Sequence, residues 1–588
     1  MNESKNKTKV KFSQFKSKLF MKFKNQLLAI IVVFTAINFG CNQSNQKKEI
    51  AGKKPNILLI VADDLGYSDI APFGGNINTP VISGLAQEGI SFSRFYVQPT
   101  CSPTRSSLLT GNDNHVAGIG IMSEMEYPEL TALNLPGYQG ALSRQVVTIP
   151  EVLRELGYHT YMVGKWHLGE GQGQDPFDRG FEESFILGAG GGSHWNDKKA
   201  LSPLQHMEYT RNGKPVELPE DFYSSKNYTD SLISFIEKNK ADNKPFFTYL
   251  SYTAVHDPLH VPKEYIEKYK GKFNMGWDSL WVERLENLKK LGIVSKEVNK
   301  FSKNPQIPAW ESLPQDIKNG FARDMEVYAG MLEYLDMSIG RVFDYLKKEG
   351  IYDNTLIIFM SDNGANGAMA TLSPGNEDGK YLGTFDNSID NRGLKNSYIE
   401  TGAGWAQASS SPFRFFKSFA SDGGIKVPLI IKMPGNTANA GQWNHGFIHV
   451  TDIMPTILEI TNAQYPQKFN GNEIHPLIGE SIMPVLKGDS LTVHSNDGFG
   501  WELFEMKAYI KGNWKLLRLP QPFGTGSWEL YDVKNDPAET TDLSAQYPEI
   551  KAQLIEEWNK YAQHNEVYDH KGHFDALYRK NYMPSDND

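Results

Sequence analysis

The sequence predicts an α/β fold: a large mixed, mostly parallel sheet flanked by helices, followed by a smaller C-terminal α+β domain. Three observations carry this. Continuous apolar runs at Asn56–Ala62, Phe246–Tyr252 and around TLIIFMS read as strands buried on both faces, because a half-exposed strand would alternate apolar and polar residues. Helix-period patterns separate these runs, as the crossovers of a parallel sheet require. Polar residues follow each run, at the strand ends where such sheets gather ligands.

Composition sets the outer bounds. A chain of 588 residues, 40% hydrophobic and 12% aromatic, can bury a large core and is long enough for more than one domain. A net charge of -9 without clustered Lys and Arg excludes a broad nucleic-acid-binding face. An anionic substrate would need a locally basic pocket.

In chain order, Met21-Lys-Phe-Lys-Asn-Gln is a short basic start, and Leu27 to Phe39 is a mostly apolar run ending in Gly40-Cys41. The run is too short to span a membrane and reads as a signal peptide over 1–41, with 1–20 an overlong basic region or an upstream start. Apolar residues before Gly-Cys resemble the lipobox of bacterial lipoproteins, with Asn38 where Leu is usual. That resemblance implies a lipid on Cys41 and an exported, membrane-anchored protein, periplasmic or at the cell surface. Residues 42–54 read as a polar tether.

The body of the chain, 55–488, opens with the strand that ends at Asp63 and Asp64. Helical patterns follow at Pro80–Glu88 and Ile149–Leu156, and YHTYMVGKWHLG is a strand-like segment delivering Lys165 and His167. The Phe246–Tyr252 strand places His256 just beyond its end. Residues 264–320 look like a polar, helix-rich insertion, and Arg323–Glu349 like an amphipathic helix closed by Gly350, which feeds the strand ending at Asp362 and Asn363. Ala365 to Ser411, rich in Gly, Asn and Ser, suggests long surface loops. Lys417 precedes a Gly-Gly turn and a strand at Val427–Lys432, and HVTDIMPTILEITN reads as a packing helix with Asp452 at its N-terminus. From 489 to 588, short Trp- and Tyr-rich strands and a last helix, Pro548–Tyr561, form the C-terminal unit.

The strand-end groups Asp63, Asp64, Asp362 and Asn363 are hard oxygen ligands suited to Ca²⁺ or Mg²⁺. Asp and Asn also form turns and caps, but three carboxylates converging in one pocket would repel without a cation. With Cys41 accounted for, Cys101 is the other of two cysteines, which excludes a disulfide framework. In CSPTRSSLLTG, Pro103 reads as a first-turn residue of a helix over Ser106–Thr110, whose N-terminus favours an anion, and Arg105 falls one turn beyond Cys101. A bare thiol there is expected to have a lowered pKa. A soft thiolate is nonetheless a poor ligand for a hard cation, so residue 101 makes more sense as an oxygen nucleophile.

CSPTRSSLLTG resembles the C/S-x-P-x-R…Thr-Gly signature of the type I sulfatases. DDLGY, GKWHLG, the segment at His256, SDNG and the Lys before GGIKVP follow in that family's order from Lys54 to Tyr561. The similarity, closest to bacterial arylsulfatases, implies an alkaline-phosphatase-like fold. It also implies that a maturation enzyme oxidises Cys101 to Cα-formylglycine (3-oxoalanine), whose hydrate is the nucleophile. Asp63, Asp64, Asp362 and Asn363 would be metal ligands, usually for Ca²⁺, with residue 101 also near the ion. Arg105 and Lys165 would hold the formylglycine and Asp362 would help activate it. Lys417 and His256 would contact sulfate, one of them as general acid, with His260 the fallback for His256. His167 would take a proton from the diol as sulfate leaves. Asp422 and Lys426 stand where the family has Glu and Arg, and neither is expected to touch the chemistry.

The resemblance implies hydrolysis of sulfate monoesters, with a sulfated polysaccharide or oligosaccharide favoured from the export signal and aryl sulfates as further substrates. The rival activity is a phosphonate monoester or phosphodiester hydrolase. A non-catalytic glycan-binding protein would be expected to have lost motif residues that are all filled here. Leaving-group specificity falls to loops around 170–225, 265–320 and 365–411. Residues such as His194-Trp195 could stack on a sugar or aryl group, although core packing is the expected use of most aromatics.

Overall fold

The computed structural model describes residues 53–569 apart from 123–132, 170, 172, 299–303, 305, 374, 377 and 436–438. The expected signal peptide and Cys41 lie outside the described residues. Among the described residues no helix is long and apolar enough to cross a membrane.

Strand β1 (Asn56–Ala62) is buried along its whole length and explains the continuous apolar run. Ile57, Leu59 and Val61 join the apolar cluster on one face of the sheet, and Leu58, Ile60 and Ala62 the cluster on the other. Successive side chains alternate between faces, so a strand covered on both sides must be apolar throughout. After it come helix α1 (Pro80–Glu88), strand β2 (Ile90–Tyr96), helix α2 (Cys101–Thr110) and helix α3 (Ile149–Glu155). Strands β3 (His159–Lys165), β4 (Glu183–Leu187), β5 (Tyr209–Arg211) and β6 (Lys214–Pro215) lead to α4 (Ser224–Asn239) and β7 (Phe246–Ser251). Helices α5 (Gly276–Lys290) and α6 (Gln315–Lys348) then precede β8 (Thr355–Ser361). Helix α7 (Gly402–Ser409), the short α8 (Asp422–Ile425) and β9 (Lys426–Lys432) complete the central layer.

The sheet order from β2 is β2-β9-β8-β1-β7-β3-β4-β5-β6, extended beyond β2 by two-residue strands at Trp443–Asn444 and Ile448–His449. The pairs β1 with β7 and β8, and β3 with β4 and β7, are parallel. Strand β9 runs antiparallel to both β2 and β8, so the sheet is mixed but mainly parallel, as expected. Helices α4 and α6 contribute to the core on one face, and α2, α3 and helix α9 (Ile453–Thr461) to the core on the other.

Strands β10 (Gly498–Leu503), β11 (Met506–Lys511), β12 (Trp514–Arg518) and β13 (Glu529–Asp532) form an antiparallel meander, and α10 (Pro548–His564) packs on it through Leu554 and Trp558. The meander also shares the main core: Trp501, Leu503, Met506, Ala508 and Leu517 belong to the same cluster as β1 and α6. The described residues from Pro55 onward form one compact unit.

Four local readings change. Helix α2 begins at Cys101 itself, with Thr100 as N-cap, so residue 101 is helical rather than upstream of the helix. Helix α6 starts at Gln315, eight residues before the expected Arg323, because its first turns (QDIKNG) are polar and carry no apolar stripe. The stretch expected as surface loops contains the buried helix α7, covered by α5 from the insertion. Strand β2, ISFSRFY, has buried residues at nearly every position and escapes a reading based on continuous apolar runs.

Candidate active site

Adjacency of two strands builds the centre of the site. Strands β1 and β8 are parallel with Ala62 opposite Ser361, so Asp63-Asp64 and Asp362-Asn363 leave the sheet side by side. Backbone bonds lock the junction: Asp362 N–H donates to Ala62 O at 3.1 Å and Asp64 N–H to Asp362 Oδ1 at 3.1 Å. Asp64 holds φ 60°, a left-handed conformation costly for a non-glycine residue and typical of sites where the surroundings fix the chain. On the other side of β1, β7 separates it from β3, whose last residue is Lys165. At Gly164, φ is 102° and an added Cβ would lie 1.7 Å from Ser251 O, so glycine is required one residue before Lys165. Helix α2 brings Cys101 in from the opposite face.

All ten principal groups are buried. Cys101 Sγ lies 3.4 Å from Asp63 Oδ1 and 3.9 Å from Asp64 Oδ1. Arg105 directs Nε and Nη2 to Asp362 Oδ2 at 3.0 and 2.7 Å and Nη1 to Lys165 O at 3.1 Å, with Nη2 also 3.6 Å from Asp63. Lys165 Nζ donates to Asp63 Oδ2 at 2.8 Å. Lys417 Nζ lies 2.8 and 2.9 Å from the two oxygens of Asp64, and His256 Nε2 is 3.4 Å from Asp64 Oδ2. Three carboxylates thus face three fixed cations, which makes their burial tolerable; removing one partner would leave an uncompensated buried charge.

Burial works to raise the Asp63 and Asp64 carboxyls, yet the neighbouring cations, Lys165 for Asp63 and Lys417 for Asp64, hold both below the usual range. The reverse holds for the lysines, kept above their ordinary value by Asp63 and Asp64 against the effect of burial. The Cys101 thiol departs from expectation. Burial and then Asp362 push it well above its ordinary value, outweighing Lys165 and Lys417, because helix position counts for less than desolvation beside carboxylates. A thiol here is not an activated thiolate.

Oxygens of Asp63 and Asp64, Cys101 Sγ and a His256 nitrogen all lie within 4.8 Å of one another, close enough to hold one ion. The sharper test is Asn363. Its Nδ2 donates to Asp64 Oδ1 at 2.6 Å and to Gly364 O at 2.9 Å, while its Oδ1 is buried without a hydrogen-bond partner. A buried amide oxygen so placed is available as a hard ligand, and with the carboxylates of Asp63 and Asp64 the donor set fits a divalent cation of the Ca²⁺ or Mg²⁺ type.

His256 and its fallback separate clearly. His256 Nδ1–H donates to Asp257 O at 2.6 Å, which fixes the tautomer and leaves Nε2 facing Asp64. His260 is spent elsewhere: Nε2–H donates to Ser397 O at 2.9 Å and Nδ1 accepts the His194 amide at 3.3 Å. His167 follows Lys165 by two residues, buried, with φ 54° and its amide bonded to Gly188 O at 3.1 Å.

Tyr249, Ser251 and Asp257 were missed in the sequence, and His194, read there as a stacking or packing residue, is buried with a different role. Tyr249 and Ser251, two apart on β7 and therefore on one face, both accept from Arg105 Nη1, the tyrosine at 3.3 Å. The hydroxyls interrupting an otherwise apolar run were the available signal. His194 donates Nε2–H to His256 O at 3.1 Å and accepts from Ser224 Oγ at 2.7 Å, bracing the catalytic candidate from behind. Burial, reinforced by His260, lowers it to about 3, so it stays neutral. Asp257, raised to about 7 by burial and Asp64, accepts from Thr401 and Asn366 and ties the loop after β7 to the segment before α7. Trp195 packs 5.0 Å from Tyr223, ring to ring, in keeping with a packing role.

Comparison with known proteins places this geometry. The sulfatase family model matches residues 55–463, and a second, described as N-sulphoglucosamine sulphohydrolase, C-terminal, matches 413–564. The chain is 42% identical over 533 residues to an uncharacterized sulfatase of Schizosaccharomyces pombe, covering 87% of this chain and 94% of that one. It is 37% identical over 439 residues to an arylsulfatase of Klebsiella aerogenes, covering 74% and 92%. Among solved structures it is similar to Ps i-CgsB in complex with k-i-k-neocarrahexaose, with 24% identity, a TM-score of 0.63 and coverage of 90% and 98%.

Proposed function

The chain belongs to the sulfatase family, a sulfuric ester hydrolase, and from that premise we propose that residue 101 works as a formylglycine and that the natural substrate is a sulfated glycan. The observation that supports the first part is the convergence of Cys101, at the start of α2, on Asp63, Asp64, Asp362 and Asn363 at two adjacent strand ends, with Arg105, Lys165 and Lys417 interleaved. A raised thiol beside carboxylates is ill suited to attack, whereas an oxygen nucleophile made from residue 101 by a formylglycine-generating enzyme suits the hard donor set.

Asp63, Asp64, Asp362 and Asn363 would hold a divalent cation, Ca²⁺ in first place and Mg²⁺ second, which when bound would polarise the sulfate oxygens. The protein's own residues do the rest. Arg105 fixes the carboxylate of Asp362 from two nitrogens and thereby orients the group that would help activate the nucleophile, while the carboxylates of Asp63 and Asp64 lie 3.4 and 3.9 Å from the tip of residue 101. Lys165, held by Asp63, and Lys417, held by Asp64, place positive charge where the anionic sulfate must enter. His256, with Nδ1–H committed to Asp257 O, would hand a proton from Nε2 to the departing alcohol as the imidazolium, a form that burial disfavours and the Asp64 carboxylate beside Nε2 favours. His167 takes the later proton as sulfate is released.

A glycan is favoured by the hexaose bound to Ps i-CgsB, by the sulphoglucosamine description of the C-terminal match, and by an N-terminus suited to export with a lipid on Cys41. Side-by-side assays of sulfated oligosaccharides, an aryl sulfate and an aryl phosphonate test the reading. Turnover of sulfated oligosaccharides above the aryl sulfate supports it. Preference for the phosphonate would install the rival phosphonate monoester hydrolase, and activity on the aryl sulfate alone would remove the glycan. Loss of membrane association on Cys41→Ser tests the anchor.

A further inference from the structure

Lys417 is delivered by an unusual loop between α7 and α8. Phe415 and Ser418, one on either side of it, adopt φ 61° and 72°, conformations that non-glycine residues hold only when their surroundings impose them. The loop is pressed against the metal-ligand segment: Lys417 N–H donates to Ala365 O at 3.0 Å, Ser418 N–H to Pro99 O at 2.7 Å, and a Cβ on Gly364 would lie 1.9 Å from Gly423 O.

Both ends of the loop carry a buried charge, and each is paired with residues of the C-terminal meander or of the chain that follows it. At the first end, Arg414 donates to Phe523 O at 2.5 Å and to Tyr531 OH at 3.2 Å and lies 3.9 Å from Glu529. Phe523 adds edge contacts to the rings of Phe415 and Phe419 at 5.8 and 5.1 Å. At the second end, Asp422 Oδ1 accepts from Lys515 Nζ at 2.7 Å and the Asp422 amide donates to Glu539 Oε1 at 3.1 Å. Lys515 closes the ring at 2.6 Å from Glu539, with none of the three groups exposed. Tyr96 and Lys426 complete the surroundings of Asp422 at 3.1 and 3.5 Å.

We propose that the C-terminal meander, with Glu539 just after it, is a positioning clamp for Lys417, Lys515 and Glu539 acting through Asp422, and Phe523 and Tyr531 through Arg414. The inference rests on the reading that Lys417 contacts the sulfate. It gives Asp422 a part in catalysis, against the expectation that its departure from the family's Glu is without effect. A buried ion-paired triad adds little net stability over an apolar replacement, yet it fixes geometry sharply. Here the geometry fixed is that of a strained loop with a catalytic candidate in its middle.

A double-mutant cycle on the full-length, matured enzyme tests it, with an aryl sulfate as probe. Lys515→Gln is expected to lower kcat by about 10- to 100-fold with little change in KM, as misplacement of a catalytic group does. In a Lys417→Ala background the same substitution should change kcat by less than about threefold, because there is no longer a group to position. An equal loss in both backgrounds, or full activity of folded Lys515→Gln, overturns the clamp. Should Lys515→Gln not fold, Tyr531→Phe, which deletes only one hydroxyl, enters the same cycle with the same criteria and a smaller expected loss. If Lys417→Ala alone keeps full activity, it is the assignment of Lys417 that fails.

Discussion

Asn363 offers its amide nitrogen to Asp64 at 2.6 Å and keeps its own carbonyl oxygen buried without a partner. An unpaired buried acceptor costs on the order of 1–3 kcal/mol, which a cation would recover. Addition of Ca²⁺ to metal-stripped protein should therefore raise its melting temperature, since a ligand that binds only the folded state stabilises it. Asn363→Ala should lose most of that shift and about 10- to 100-fold of activity. An unchanged shift in the variant would remove Asn363 from the ligand set, and stronger stabilisation by Mg²⁺ would reverse the order of metals.

Arg105 has its guanidinium on Asp362, Lys165 O, Tyr249 and Ser251 at once. Lysine cannot reproduce that fork. Arg105→Lys is expected to abolish turnover through loss of the fork, and Arg105→Gln to cost in addition roughly 3–5 kcal/mol in denaturant unfolding, because the buried Asp362 carboxylate then loses its charged partner. An Arg105→Gln variant with wild-type stability would show that Asp362 is compensated from elsewhere.

His256→Ala and Lys417→Ala should each lower kcat, by about 10²- to 10³-fold for a poor leaving group. The His256 loss should shrink on an aryl sulfate whose phenol departs without a proton, while the Lys417 loss should persist. Equal sensitivity of the two variants to the leaving group would move the general-acid role from His256.

His115 offers a test far from the chemistry. It is buried between Asp113, 2.8 Å from Nδ1, and Glu502, 3.7 Å from Nε2. Burial alone would lower its pKa, but Asp113 and then Glu502 carry it from 6.5 to about 9. The folded state then binds the proton more tightly than the unfolded chain. Its stabilisation is complete below pH 6.5 and disappears as pH rises through about 9, a loss on the order of 3 kcal/mol. Unfolding free energies at the two ends of that window should differ accordingly in the wild type, and the difference should shrink in His115→Gln. An identical slope in both proteins would place the proton elsewhere.

Much of this was legible in the sequence because the site hangs on strand ends. A run such as NILLIVA can be buried on both faces only as an interior strand, and the next two residues of the chain, Asp63 and Asp64, must lie at the sheet's edge beside those that leave β8. Residues brought in by irregular chain were harder to read. Lys417 and His256 could be located beside a turn and a strand end, but their roles were reached through resemblance, and no periodicity marks the loop around Ser418 or the brace from His194. The Cys101 thiol was misread for a physical reason: its place at a helix start is visible in CSPTR, whereas the carboxylates that surround it come from residues 38 and more than 250 positions away. The clamp by Lys515 was invisible for the same reason, being an ion pair across 93 residues.

The chemistry turns on the atom at the tip of residue 101. Protein made in a host that supplies a formylglycine-generating enzyme should, on mass spectrometry of the peptide spanning Cys101, carry the aldehyde in place of the thiol, with sulfate-ester turnover scaling with the fraction converted. Full activity from protein whose residue 101 is an intact cysteine would rule out a formylglycine nucleophile.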